Sequence, residues 1–124
     1  KYQANLLIVD DEPEICKMAQ IYLEGLGYTV HCAADGEEAL RHYDPESIDL
    51  VVLDIMMPVM DGKQCFQELL KGDPNVCVLF TSGHSMLSIS RELLQMGARG
   101  VIQKPYRSKA LAQKIQWILQ GHDK

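Results

Sequence analysis

Five short apolar runs recur along the chain: NLLIVD from Asn5 to Asp10, YTVHC from Tyr28 to Cys32, DLVVLD from Asp49 to Asp54, VCVLFT from Val76 to Thr81 and GVIQK from Gly100 to Lys104. Their length and β-branched content predict strands. The first, third and fourth are apolar at consecutive positions, as strands covered on both faces must be. The second alternates, with Tyr28, Val30 and Cys32 set against Thr29 and His31, and the fifth carries Gln103, so these two are expected at the sheet edges. Between the runs the apolar period changes to that of a helix. Ile15, Met18, Ala19, Tyr22, Leu23 and Leu26 form a stripe that opens near Pro13 and stops at Gly25 and Gly27. Further helices are predicted over about Gly36 to Tyr43, over Lys63 to Lys71 with Phe66, Leu69 and Leu70 inward, over Ser85 to Met96, and over Ser108 to Gln120 with Leu111, Ile115 and Ile118 inward. Trp117 falls off that last stripe, either as a flank of the core or as an anchor for a partner.

Strand and helix thus alternate five times with short connections, which implies a parallel sheet wound with helices on both faces. Ligands of such sheets bind beyond the carboxyl ends of the strands. Four of the five predicted strands finish on polar groups: Asp10 and Asp11, Asp54, Thr81 and Lys104. If these ends converge, three carboxylates meet one ammonium, and each carboxylate raises the proton affinity of the others unless a cation sits among them. A hard divalent ion such as Mg²⁺, which takes carboxylate and phosphate oxygens, suits that donor set.

Composition narrows the picture. The 124 residues and 47% hydrophobic content supply one core, so a single domain is expected over 1–124 with its core at about 5–120. A net charge of -5 argues against nucleic acid or an anionic membrane surface as a partner of this domain. No apolar run approaches the roughly 18 residues of a membrane span, and no signal pattern opens the chain, so a cytoplasmic protein is expected. Cys16, Cys32, Cys65 and Cys77 lie apart within apolar segments and are expected to be reduced and buried. Lys1 in place of a starting methionine suggests excision from a longer chain.

The segments LLIVDDEP, VVLDIMMPVMDG, LFTSG and GARGVIQKPY, in that order and each at a strand end, resemble the receiver domain of response regulators in two-component phosphorelay signalling. The resemblance implies a flavodoxin-like (βα)5 fold with strand order 2-1-3-4-5. It implies Asp54 as phosphoacceptor, taking a phosphoryl group from a phosphohistidine of a histidine kinase or histidine phosphotransfer domain. Asp11, Asp54 and the backbone carbonyl of Met56 would bind Mg²⁺, with Mn²⁺ as a substitute, and Asp10 would act through water. Thr81 and Lys104 would contact phosphoryl oxygens. Pro58 and Gly62 would shape the turn after the nucleophile, Pro105 would follow a cis bond that aims Lys104, and Gly83 would free the next loop to move. Phosphorylation would then switch the surface formed by strands four and five and helices four and five.

Two positions depart from the family. Val101 stands where many receivers place an aromatic switch residue. Met56 and Gly83 offer no polar side chain to orient a hydrolytic water, so slow autodephosphorylation is expected. The protein would catalyse its own phosphorylation without being a turnover enzyme in the usual sense, as a monomer or weak dimer. Glu12 and Asp61 are expected to be solvated first-turn charges. His31, His42, His84 and His122 lack the helical setting of a phosphotransfer histidine. The SG and GARGVIQKPY segments resemble receivers of hybrid sensor histidine kinases, with a stand-alone or DNA-binding regulator as the alternative. A haloacid-dehalogenase-type phosphatase would need an Asp where Met56 stands, and acidic strand ends would repel the phosphate of a flavodoxin's FMN.

Overall fold

A computed structural model describes residues 3–83 and 87–121. The strands are β1 (Asn5–Val9), β2 (Thr29–Ala33), β3 (Leu50–Asp54), β4 (Val78–Ser82) and β5 (Gly100–Gln103). They alternate with α1 (Pro13–Gly25), α2 (Gly36–His42), α3 (Gly62–Gly72), α4 (Leu87–Gln95) and α5 (Ser108–Leu119). All strand pairs are parallel and the order is β2-β1-β3-β4-β5, with the two expected strands at the edges. His84 and His122, and the first two residues of the predicted fourth helix, lie outside the described residues.

Alternate residues of the central strands feed two cores. Leu7, Val9, Val51, Leu53, Val78 and Phe80 point to one face, where Ala39 of α2, Cys65, Phe66 and Leu69 of α3 and Leu93 of α4 cover them. Leu6, Ile8, Leu50, Val52 and Leu79 point to the other, under Cys16, Ala19 and Leu23 of α1 and Leu111, Ile115 and Ile118 of α5. This is why β3 reads as an unbroken apolar run: all five of its residues are buried, Asp54 included.

The phase of α1 differs from the predicted stripe. Cys16, Ala19 and Leu23 are buried, whereas Met18 and Ile21 are each 64% exposed and Tyr22 is 37% exposed. Apolar residues cover more than half the circumference of this helix, so its pattern admits two inward faces. The face with small Cys16 and Ala19 is the one that lies against the sheet. Asp61 is likewise not a first-turn charge but the cap of α3, in a reciprocal capping box with Gln64. Glu12 sits at the matching cap position of α1 without a side-chain cap bond.

The loop from β3 to α3 is tightly constrained. The Met60 amide donates to the Pro58 carbonyl at 2.7 Å, closing a γ-turn whose central residue, Val59, has φ of 70°. A β-branched side chain is strained at such a positive φ, and Val59 is 73% exposed, so few contacts repay it. Val59→Asn is therefore expected to stabilise the fold by about 1 kcal/mol, because asparagine tolerates this backbone conformation better. An unchanged or lower urea midpoint in the variant would show that the turn is not strained at Val59.

Candidate functional site

Parallel pairing sets the depth of each strand end, and register then decides which polar groups share a level. Asp54 pairs with Thr81 across β3 and β4, and the Ile55 amide donates to the Thr81 carbonyl at 3.0 Å, so nucleophile candidate and hydroxyl stand side by side. Asp10 directly follows β1, its amide donating to the Ala33 carbonyl of β2 at 3.1 Å. Lys104 follows β5, its amide bonded to the Ser82 carbonyl at 2.7 Å, and a cis bond joins it to Pro105. The receiver resemblance implies a cis bond at this position.

Lys104 Nζ lies 2.9 Å from Asp10 Oδ2 and 3.0 Å from Asp54 Oδ2. Asp10, Asp54 and Thr81 are all buried, at 3%, 4% and 2% exposure, while Asp11 faces solvent. Burial raises the proton affinity of the Asp54 carboxyl, and the hydrogen bond and charge of Lys104 offset part of that rise. For Lys104 burial opposes the charge, but its bonds to Asp10 and Asp54 outweigh burial and push its pKa up. One ammonium thus holds together two carboxylates that would otherwise repel.

Asp10, Asp11 and Asp54 can each bring an oxygen within 4.8 Å of the others, forming a cluster suited to a hard cation. Three carboxylates against a single lysine leave the cluster acidic, and all donors are oxygen, which fits Mg²⁺ or Mn²⁺. The two oxygens of Asp10 already have protein partners, since Oδ1 accepts from the Glu12 amide at 2.9 Å and Oδ2 meets Lys104. That occupancy suits the water-mediated role expected for Asp10. The Met56 amide makes only a long contact, 3.4 Å, to Asp54 Oδ1, and the Met56 side chain is exposed.

Gly62 has a steric reason to be glycine. A Cβ there would stand 2.4 Å from the Asp54 carbonyl oxygen and 2.7 Å from the Ile55 Cα, and its amide donates to the Ile55 carbonyl at 2.8 Å. The start of α3 is thus laid directly on the backbone of Asp54 and Ile55. Pro58 precedes Val59 in the γ-turn described above, and a Cβ at Gly83 would meet no atom of the described residues within 4 Å. Val101 pairs with Phe80 and packs at the edge of the core, lining a cavity of about 420 Å³ with Ser82, Ser90, Leu94 and Gln103. His31 on β2 and His42 on α2 are exposed, away from the strand ends.

Tyr106 was not among the residues singled out from the sequence. It lines a cavity of about 390 Å³ beside the site, together with Glu12, Ile15, Met18, Lys104 and Pro105. Burial pushes the Tyr106 hydroxyl up to about 12, with a further rise from Asp10. The only signal for it in the sequence is its place two residues beyond Lys104.

Comparison with known proteins agrees with this geometry. A family model described as the response regulator receiver domain matches residues 6–116. A probable transcriptional regulator, ycf27 of Cyanidium caldarium, is 41% identical over 96% of the chain, which corresponds to 47% of that protein. The sensor kinase CckA of Brucella abortus is 35% identical over 97% of the chain and 13% of its own length. The chain therefore spans less than half of either curated relative. Among solved structures, a CheY-like response regulator receiver domain protein from Methanospirillum hungatei superimposes with a TM-score of 0.89 at 30% identity, covering 98% of this chain and 97% of that one.

Proposed function

This chain belongs to the response regulator receiver family, and on that premise we propose that Asp54 is its phosphoacceptor, served by Thr81 and Lys104. The observation that carries the proposal is the convergence of Asp10, Asp11, Asp54 and Lys104 at neighbouring strand ends. A carboxylate oxygen of Asp54 forms a bond to phosphorus as the bond from phosphorus to the histidine nitrogen breaks, giving an aspartyl phosphate. Burial makes Asp54 more basic than an exposed aspartate, and Lys104 keeps it ionised and oriented. Thr81, level with Asp54 on β4, is placed to donate to a phosphoryl oxygen, and Lys104 to neutralise another. A magnesium or manganese ion held by Asp11, Asp54 and the Met56 carbonyl, with Asp10 acting through water, would neutralise charge on the transferring group.

The donor is a phosphohistidine on a histidine kinase or histidine phosphotransfer domain. The largely apolar cavity beside Lys104, together with exposed Met18, Ile21 and Tyr22 on α1, gives such a partner a mainly hydrophobic seat next to the nucleophile. A cytoplasmic setting follows from that chemistry. Curated relatives of both kinds, a transcriptional regulator and a sensor kinase, support a place within a longer signalling protein. Gly83 and Val101 mark the surface around α4 and β5 that would answer phosphorylation.

Incubation with acetyl phosphate and Mg²⁺ is expected to add one phosphoryl group, mapped to Asp54 and absent when EDTA replaces the metal. Incorporation at another residue, or none, would remove the proposal. Because neither Met56 nor Gly83 carries a polar side chain to orient a hydrolytic water, the aspartyl phosphate is expected to persist for minutes or longer. A lifetime of seconds in the isolated protein would show that another group positions that water.

A further inference from the structure

The fold brings together two cysteines that the sequence keeps apart. Cys16, on the inward face of α1, donates its thiol to the Ile8 carbonyl of β1 at 3.5 Å. Cys32 on β2 pairs in register with that same Ile8. The Cys32 sulfur in turn contacts the carbonyl of Cys16 at 3.7 Å and Gln20 Oε1 at 3.9 Å. Both thiols therefore gather at one point between α1 and the β1–β2 edge of the sheet. Cys16 is 5% exposed, whereas Cys32 is half-buried and open enough for a small reagent.

We propose that Cys16 and Cys32 form a modification site, a dithiol that a peroxide closes to an intramolecular disulfide within the folded domain. The two thiols are unequal partners. A hydrogen bond from Cys16 lowers the pKa of Cys32, with burial acting against it, and the same interaction raises that of Cys16, with burial adding to the rise. Cys32 is thus the attacking group and Cys16 the resolving one. The Cys32 thiolate attacks one oxygen of hydrogen peroxide, the O–O bond breaks, and hydroxide leaves, giving a sulfenic acid. The Cys16 sulfur then attacks the sulfenyl sulfur, the S–O bond breaks, and the released hydroxide takes the Cys16 proton as water. Two thiols are oxidised and one peroxide is reduced. The bond would staple α1, which starts at the acidic turn, to the edge strand β2.

The test uses the whole native chain treated with hydrogen peroxide, then alkylated and digested with trypsin. Lys17 separates the two cysteines into different peptides. A linked pair of those peptides, lighter by two hydrogens and parted by dithiothreitol, is expected, with Cys65 and Cys77 still alkylated. In Cys16→Ser, dimedone is expected to capture a sulfenic acid at Cys32; in Cys32→Ser, Cys16 is expected to stay unmodified. No link in the wild type, or a link to Cys65 or Cys77, would overturn the site. Comparable dimedone capture at Cys16 in Cys32→Ser would overturn the order of attack.

Discussion

Asp54→Asn is expected to abolish phosphoryl incorporation from acetyl phosphate and, in the same variant, to raise the thermal stability of the metal-free protein at neutral pH. The loss follows because an amide is not a nucleophile toward phosphorus. The gain follows from burial: Asp54 is 4% exposed, and the proton affinity of its carboxyl is raised in the fold despite Lys104. A carboxyl whose folded pKa is raised contributes stability below its unfolded pKa, near 3.9, and that contribution is lost as pH rises through the folded value. At pH 7 ionised Asp54 therefore costs stability, and a neutral isostere of the same shape removes the cost while Lys104 keeps Asp10. Added Mg²⁺ should narrow the gap, because an ion that binds the folded wild type stabilises it by mass action and finds one carboxylate fewer in the variant. Melting curves in EDTA and in Mg²⁺ check both statements. A variant less stable than wild type in EDTA would mean that the Lys104 pair outweighs desolvation. Residual labelling would move the phosphoacceptor elsewhere.

That variant separates what a receiver keeps for chemistry from what it keeps for folding, a distinction partly legible in the residues. Runs such as LVVLD announce central strands because burial on both faces leaves no polar position until the strand emerges, and where β3 emerges Asp54 joins the acidic cluster. The edge positions of β2 and β5 followed from the same pattern, whereas the strand order followed from the resemblance to receiver domains. The phase of α1 did not follow, since Met18, Ile21 and Tyr22 are as apolar as the residues that turned inward. Periodicity measures the presence of a stripe and not which of two stripes finds a surface to cover. The approach of Cys16 to Cys32 was illegible for another reason: their separation along the chain carries no signal, and only the parallel register of β1 and β2 brings them to Ile8. Tyr106 escaped notice because nothing in its neighbours distinguishes it from an ordinary helix-preceding aromatic. Its value lies in the cavity formed with α1, an element some ninety residues away in the chain.

Gly62→Ala carries the largest expected cost to the fold. The added methyl would meet the Asp54 carbonyl oxygen at 2.4 Å and the Ile55 Cα at 2.7 Å, and both are backbone atoms, at the end of β3 and in the residue after it, that cannot swing aside as a side chain would. Relief requires either lifting the start of α3, which breaks the Gly62 amide bond to the Ile55 carbonyl, or displacing the end of β3. Overpacking of this kind costs at least about 2 kcal/mol, equivalent to a fall in Tm of roughly 8 °C for a domain of this size. The second route also tilts Asp54 away from Lys104 and Thr81, so phosphorylation by acetyl phosphate should slow by at least about tenfold at temperatures where the variant stays folded. Gly25→Ala, at the end of α1 with no atom within 4 Å of the new Cβ, is the matched control and should hold or gain stability. Equal urea midpoints for Gly62→Ala and wild type would mean that the loop yields without cost. A destabilised variant that phosphorylates at the wild-type rate would mean that α3 moves and β3 does not, leaving the nucleophile where the sheet holds it.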